Sequence, residues 1–259
     1  MISVDKQSLY EEYTDLICKR DVLDKQADSI QLAYTKEFGQ LLKENFELKI
    51  ECIKKKRMIA YCGKQINRGL PIDILHVGAL IENELALYYD ELRELIARNE
   101  SAKRSVVLSD YRVRAAKRIY HRLVKKLHPD YNRKTDESSK LKEIWDRIVK
   151  AYKKTDVDAL SDLEALATRV LEELGEKGFE ADYPDIEERI QRLERQISEI
   201  LNSEPYTYRE LLYDKTKVKQ KKEELMAEGE EYRKYVKELT ETLDKLIGGG
   251  GAKMVWRMG

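Results

Sequence analysis

From residue 5 to residue 67 the apolar positions recur at alternating intervals of four and three. Leu9, Tyr13, Leu16, Leu23, Ala27, Ile30 and Tyr34 form one seam; Phe38, Leu41, Leu48, Cys52, Ile59 and Cys62 continue it. This period predicts one long helix of coiled-coil character. The register shifts by four residues after Tyr34, a stutter that unwinds a supercoil locally without ending the helix. Arg20 and Asn45 fall on seam positions and leave the seam imperfect. Asn67-Arg68-Gly69-Leu70-Pro71 is a break, because glycine suits a helix end and proline a helix start. A second helix is expected from about Pro71 to about Lys103, with its seam at Ile81, Leu85, Tyr88, Leu92 and Leu95. The short connection predicts an antiparallel hairpin with the end of the first helix.

Residues 183–247 repeat this character. Ile186, Ile190, Leu193, Ile197 and Ile200 form one seam. The break Asn202-Ser203-Glu204-Pro205 follows, and Val218, Leu225, Tyr232, Val236, Leu239, Leu243 and Leu246 form another. A second helical hairpin is the expectation there. Between the two, residues 105–180 hold shorter amphipathic helices joined by real turns, the pattern of a compact domain. The fold class is therefore all-α. Four stretches are expected: an N-terminal coiled-coil hairpin (1–104), a small helical domain (105–180), a C-terminal coiled-coil hairpin (181–247), and a Gly-rich linker and tail (248–259).

Composition narrows the function classes. Hydrophobic residues make up 42% and charged residues 38% of the 259 positions, against a usual charged share of about a quarter. Long helices that bury a narrow stripe and solvate the rest fit this better than one large core. The 49 Lys and Arg balance the 49 Asp and Glu, so no global attraction to nucleic acid or an anionic surface follows. Cys18, Cys52 and Cys62 form no CxxC pair, which points to neither a disulfide framework nor a zinc site, and His76, His121 and His128 have no zinc spacing with them. A reducing cytoplasm is the expected compartment. No apolar run resembles a signal peptide or a membrane span.

Charge is segregated in one place. Asp110 to Leu127, DYRVRAAKRIYHRLVKKL, carries seven basic residues and one acidic residue in 18 positions. Val113, Ala116, Tyr120, Leu123, Val124 and Leu127 share one helical face. Arg114, Arg118, Arg122 and Lys125 lie opposite, widened by Arg112, Lys117 and Lys126. Like charges four residues apart cost a helix stability, so an acidic partner surface is the simplest beneficiary. Pro129 disfavours helical geometry at His128. Asp130 and Asn132 favour turns through side-chain to backbone bonds. Residues 128–137 should form an exposed loop presenting an imidazole, a rigid ring and a carboxylate. A further helix is expected from Ser138, with Leu141, Ile144, Trp145, Ile148 and Tyr152 on its apolar face. The two helices should pack those faces together, antiparallel.

IYHRLVKKLHPDYN resembles the second helix and HPD loop of a J-domain, and KLKEIWDRIVKAY, Lys140 to Tyr152, resembles its third helix. KKTDVDALSDLEAL is similar to the continuation found in a group of bacterial J-domain proteins with coiled-coil flanks. The resemblance covers residues 110–165. It implies that the basic face (Arg114, Arg118, Arg122, Lys125, Lys126) docks on the ATPase domain of a DnaK-type chaperone. It implies too that His128, Pro129 and Asp130 reach the junction of that partner's nucleotide and substrate domains and speed ATP hydrolysis. The catalytic residues would belong to the partner; no enzyme activity and no cofactor are expected of this chain.

The chain departs from the family pattern in three ways. The short first helix that normally precedes is not evident in SAKRSVVLSD; the end of the 71–103 helix with Val106, Val107 and Leu108 is the candidate cover for the groove. Tyr131 stands where a lysine is usual. No Gly/Phe-rich segment or cysteine-rich module is present, so the arms would supply self-association, tethering or client contact. Two other classes stay open: a structural coiled-coil scaffold with a non-stimulating J-like segment, and nucleic-acid binding through the basic helix. Met254-Val255-Trp256, flanked by Lys253 and Arg257, is either a tail without a role or a docking peptide for a partner groove.

Overall fold

The computed structural model of the chain describes residues 4–105, 109–130, 132, 135, 137–173 and 185–248. Among the described residues there are only helices and no strand. They are α1 (Val4–Asn67), α2 (Ile74–Glu84), α3 (Ala86–Arg104), α4 (Asp110–Leu127), α5 (Ser139–Lys154), α6 (Val157–Glu173), α7 (Ile186–Asn202), α8 (Tyr208–Tyr213) and α9 (Lys215–Gly248). The expected cover Val106–Leu108, the residue Tyr131 and the segment 249–259 lie outside the described residues; Gly248, expected in the linker, is the last residue of α9.

Local chemistry sets the helix ends. Gly69 takes φ 65°, and Gly69 N–H and Leu70 N–H donate to the carbonyls of Ile66 and Gln65. This is the left-handed cap in which glycine carries no Cβ penalty. Asp73, Ser109 and Ser138 cap α2, α4 and α5, each side chain accepting a backbone N–H of the first turn. The helix expected from Pro71 to Lys103 divides at Leu85, whose φ of −94° and ψ of 5° leave the helical range. Leu85 is nonetheless buried, so its anchored side chain holds the bend.

The chain forms two compact units. One contains residues 1–31 and 106–207, the other 32–105 and 208–259, and the division falls inside α1. These units cut across the four stretches read from the sequence. In the second unit α1 and α2–α3 run antiparallel. Ile50 packs with Val77, Ile81 and Leu85; Lys54 pairs with Glu82, and Arg57 with Glu84; Cys62 packs with Ile72. The run Lys54-Lys55-Lys56-Arg57 is thus engaged with its neighbours, with Lys56 also over the Tyr235 ring.

The expectation that 181–247 forms its own hairpin is corrected. α7 buries Ile186, Ile190 and Leu193 in the core of the first unit, beside Tyr10, Tyr13 and Ile17. α9 belongs to the second unit, where Leu243 packs with Cys62 and Ile72. Each helix buries its seam in a different unit. A heptad seam states that a partner exists, not which one.

Two glycines let polar side chains approach helix backbones in the second unit. Asn99 Nδ2 donates to the Gly39 carbonyl at 2.6 Å, and Asn45 Nδ2 donates to the Leu225 carbonyl at 2.8 Å, beside Gly229. A Cβ at Gly39 would stand 2.1 Å from Asn99 Oδ1, and one at Gly229 would stand 2.6 Å from Asn45 Oδ1. Helix propensity alone favours Gly→Ala by about 1 kcal/mol. Gly39→Ala is expected instead to destabilise the protein by roughly 1–2 kcal/mol in chemical denaturation, since overpacking a tight contact typically costs 1–3. In an Asn99→Ala background the same substitution should be neutral or stabilising.

Candidate functional site

The site stands on α4, α5 and the chain between them, in the first unit. α4 ends at His128, whose φ of −61° and ψ of 128° are the extended geometry its following proline demands. α5 returns antiparallel: the His128 ring lies edge-on to Trp145 at 4.9 Å, and Tyr120 stacks on Tyr152 at 3.9 Å. Leu123, Val124 and Leu127 of α4 meet Leu141, Ile144 and Ile148 of α5 in one core, which α6 completes with Leu160, Leu163, Ala167 and Val170. Val113 is 40% exposed rather than core-facing, and Ala115 and Ile119 are buried instead. α4 is covered from more than one side, so its buried arc is wider and rotated relative to the arc read from spacing.

The first stretch of α1 completes this core. Tyr10, Tyr13, Ile17 and Cys18 are buried among α4, α5 and α7 residues. Ile17 and Cys18 lie outside the heptad seam read from the sequence, because α1 here buries two adjoining faces rather than one stripe. Burial pushes the Cys18 thiol up to about 12, which makes it a packing group and not a reactive one. Asp21 accepts the Tyr120 hydroxyl at 2.8 Å, and Arg20 forks onto Asp21 at 2.8 and 3.0 Å. Burial and the Asp21 charge raise the Tyr120 phenol well above its ordinary value.

The tripeptide is less exposed than expected, and this corrects the picture of an open loop. His128 is 7% exposed, Pro129 half-buried and Asp130 exposed. The Asp130 N–H donates to His128 Nδ1 at 3.1 Å, so Nδ1 is the acceptor nitrogen of the ring in this arrangement. The His128 carbonyl accepts the Asn132 N–H at 2.7 Å. Asn132 is itself buried and its Nδ2 donates to the Lys126 carbonyl at 2.9 Å, closing the end of α4. Arg20 approaches Asp130 at 4.0 Å. Arg20 stood out in the sequence only as a flaw in the seam. That flaw was the available sign of a polar role.

A cleft of 530 Å³ opens beside the tripeptide, lined by Arg20, Asp24, Lys25, His128, Trp145 and Tyr152 among others. Lys25 Nζ donates to the Tyr152 carbonyl at 2.5 Å and lies over the Tyr152 ring at 4.1 Å. Burial lowers its ammonium to about 8. The wall carries charges of both signs, of which Arg20 and Asp21 are paired. Among the described residues no three His, Cys, Asp or Glu side chains gather as a metal site.

The basic face divides into engaged and open residues. Arg122 forks onto Glu164 of α6 with two contacts of 2.7 Å, Lys125 approaches Asp15 at 3.9 Å, and Arg112 approaches Asp158 at 3.3 Å. Arg114, Arg118 and Lys126 are exposed, and Arg114 and Arg118 make no ion pair among the described residues. The Arg122 contact holds the Glu164 carboxyl below the usual range. The unfolded glutamate therefore takes up its proton at higher pH than the folded one. Stabilisation by the pair is complete above the unfolded value, near 4.5, and fades as pH falls through the lower folded value. A double-mutant cycle of Arg122→Ala and Glu164→Ala, read by denaturation, should give a coupling of about 0.5–1 kcal/mol at neutral pH. The coupling should shrink towards zero in acid.

No protein-family model, curated protein or solved structure matches this chain.

Proposed function

We propose that the chain is a J-domain-type co-chaperone, acting in the cytoplasm, that docks on a DnaK-type ATPase chaperone and stimulates its ATP hydrolysis. The observation that carries this reading is the placement of His128-Pro129-Asp130 at the C-terminal cap of a strongly basic helix whose apolar face packs antiparallel on α5. In this reading Arg114, Arg118 and Lys126 attract an acidic surface of the partner, with Arg122 and Lys125 at its edge. Electrostatic steering of this kind raises association rates and falls with salt. Asp130 makes the outward contact, while His128 sets the turn that aims it. The catalytic groups belong to the partner. The longer helices, as coiled-coil arms, would serve self-association, tethering or client contact.

One observation favours a second reading, a structural scaffold whose J-like segment stimulates nothing. His128 is packed against Trp145 and Arg122 is already paired. Nucleic-acid binding through the basic helix is the third reading, and it predicts salt-sensitive DNA or RNA binding that Arg118→Glu removes.

Single-turnover ATP hydrolysis by a DnaK-type chaperone separates them. The wild-type chain should accelerate hydrolysis, and His128→Gln should abolish the acceleration. Arg118→Glu should weaken apparent affinity ~10-fold or more, because a like-charge juxtaposition costs several kcal/mol. No acceleration by the wild-type chain, with a partner that responds to another J-domain protein, would overturn the co-chaperone reading.

A further inference from the structure

α2 is apolar on faces where a surface helix should be polar. Val77 and Ile81 are buried against α1, as an amphipathic helix requires. On the opposite side Leu75 is 68% exposed and Ala79 is exposed, and Leu80, on the flank of the buried face, is exposed as well. No Lys, Arg, Asp or Glu falls between Ile74 and Ile81. A helix that is hydrophobic all round belongs in a core. The outer face of α2 therefore calls for a cover, and three occupants can be weighed.

A second copy of this chain fits poorly. Stable dimer interfaces take roughly 20–30 residues a side, and this patch offers Leu75, Ala79 and Leu80 with Leu70 and Leu87 at its ends. A short peptide fits its size, and the chain carries one nearby. Ile247, at the end of α9, and Ile74, at the start of α2, pack against the same cluster of Cys62, Ile72 and Leu243. Residues 249–259 continue from Gly248. Met254 is six residue steps from Gly248, a reach of up to ~20 Å at about 3.3 Å per residue. The tail therefore starts beside the cluster that holds the start of α2. Charge favours it too. Of the acids in residues 71–92, Glu82, Glu84 and Asp90 pair with Lys54, Arg57 and Arg93, which leaves Asp73 and Glu91, and residues 71–92 hold no Lys or Arg, whereas residues 252–259 contain Lys253 and Arg257 and no acid.

We propose that segment 252–259, AKMVWRMG, docks on the outer face of α2 in its own chain, with Met254, Val255 and Trp256 against Leu75, Ala79 and Leu80. The apolar trio covers these exposed apolar residues, with a basic residue of the tail beside Asp73 at the start of α2. The tether makes this an intramolecular event at high effective concentration, so few contacts suffice.

Acrylamide quenching of tryptophan fluorescence tests this in the full chain. Trp145 is 7% exposed, so quenching reports chiefly on Trp256, and subtracting the Trp256→Phe protein isolates that signal. Trp256 should be quenched several-fold less than in the free peptide AKMVWRMG, at every protein concentration tried. Leu75→Glu and, separately, Ala79→Glu change exposed positions and should each bring its quenching to the free-peptide value with the helical circular dichroism unchanged. The proposal is overturned if wild-type Trp256 is already quenched like the peptide. It is also overturned if its shielding vanishes on dilution, which assigns the face to a second copy's tail, or survives both glutamate variants, which places the tail elsewhere.

Discussion

The structure of the first unit depends on one shared apolar core. Tyr120, Leu123, Val124 and Leu127 of α4, Trp145 and Ile148 of α5, the inner face of α6, and Tyr13 and Ile17 of α1 bury one another. Fully burying one such side chain contributes about 1.5–3 kcal/mol. An exposed ion pair contributes roughly 0–1 kcal/mol. The 4.0 Å approach of Arg20 to Asp130 and the 3.9 Å approach of Lys125 to Asp15 therefore do not hold α1 in place; packing does. The polar contacts orient what packing has assembled. They fix the Tyr120 hydroxyl on Asp21 and bring a guanidinium near the Asp130 carboxylate.

In this core the opening stretch of α1 lies beside α4 and α5. The expected cover was the end of the 71–103 helix with Val106–Leu108. In the described structure the groove between α4 and α5 is covered by the opening stretch of α1, far away in sequence. The same helix then serves the second unit, where Ile50, Cys52 and Cys62 are buried. The chemistry at the C-terminal end of α4 is thus tied to residues about a hundred positions earlier. His128 keeps its turn through Trp145, Asn132 and the Asp130 N–H, and Asp130 remains the outward group of the three.

Much of this was legible in the sequence, for physical reasons that also mark the limits. Periodicity gave α1, α4, α5, α7 and α9, because amphipathic helices write their buried stripe into the chain. The basic face and the turn at His128 followed from charge segregation and from what proline does to its predecessor. Periodicity could not supply partners. α7 and α9 both carry good seams, yet each packs on surfaces the heptad does not name. Nor does it supply the width of a buried arc: spacing puts Val113 inside and leaves Ile119 out, whereas Val113 is exposed and Ile119 buried. The polar intruders were the most informative missed signal. Arg20 and Asn45 break the α1 seam, and each reaches another element, Arg20 towards Asp130 and Asn45 to the Leu225 carbonyl. A polar residue on a seam costs stability and specifies a pairing.

The central claim is that the opening stretch of α1 and the helices bearing the tripeptide are one cooperative unit. Hydrogen exchange of the full chain carrying Ile17→Ala tests it most directly. Ile17 is fully buried, and truncating such a residue costs about 2–5 kcal/mol. If the claim holds, amides of α4 and α5, about a hundred residues away, lose protection together with those of residues 8–27. If the loss is confined to α1 while α4 and α5 keep their wild-type protection, α1 is only an accessory arm and the account is contradicted.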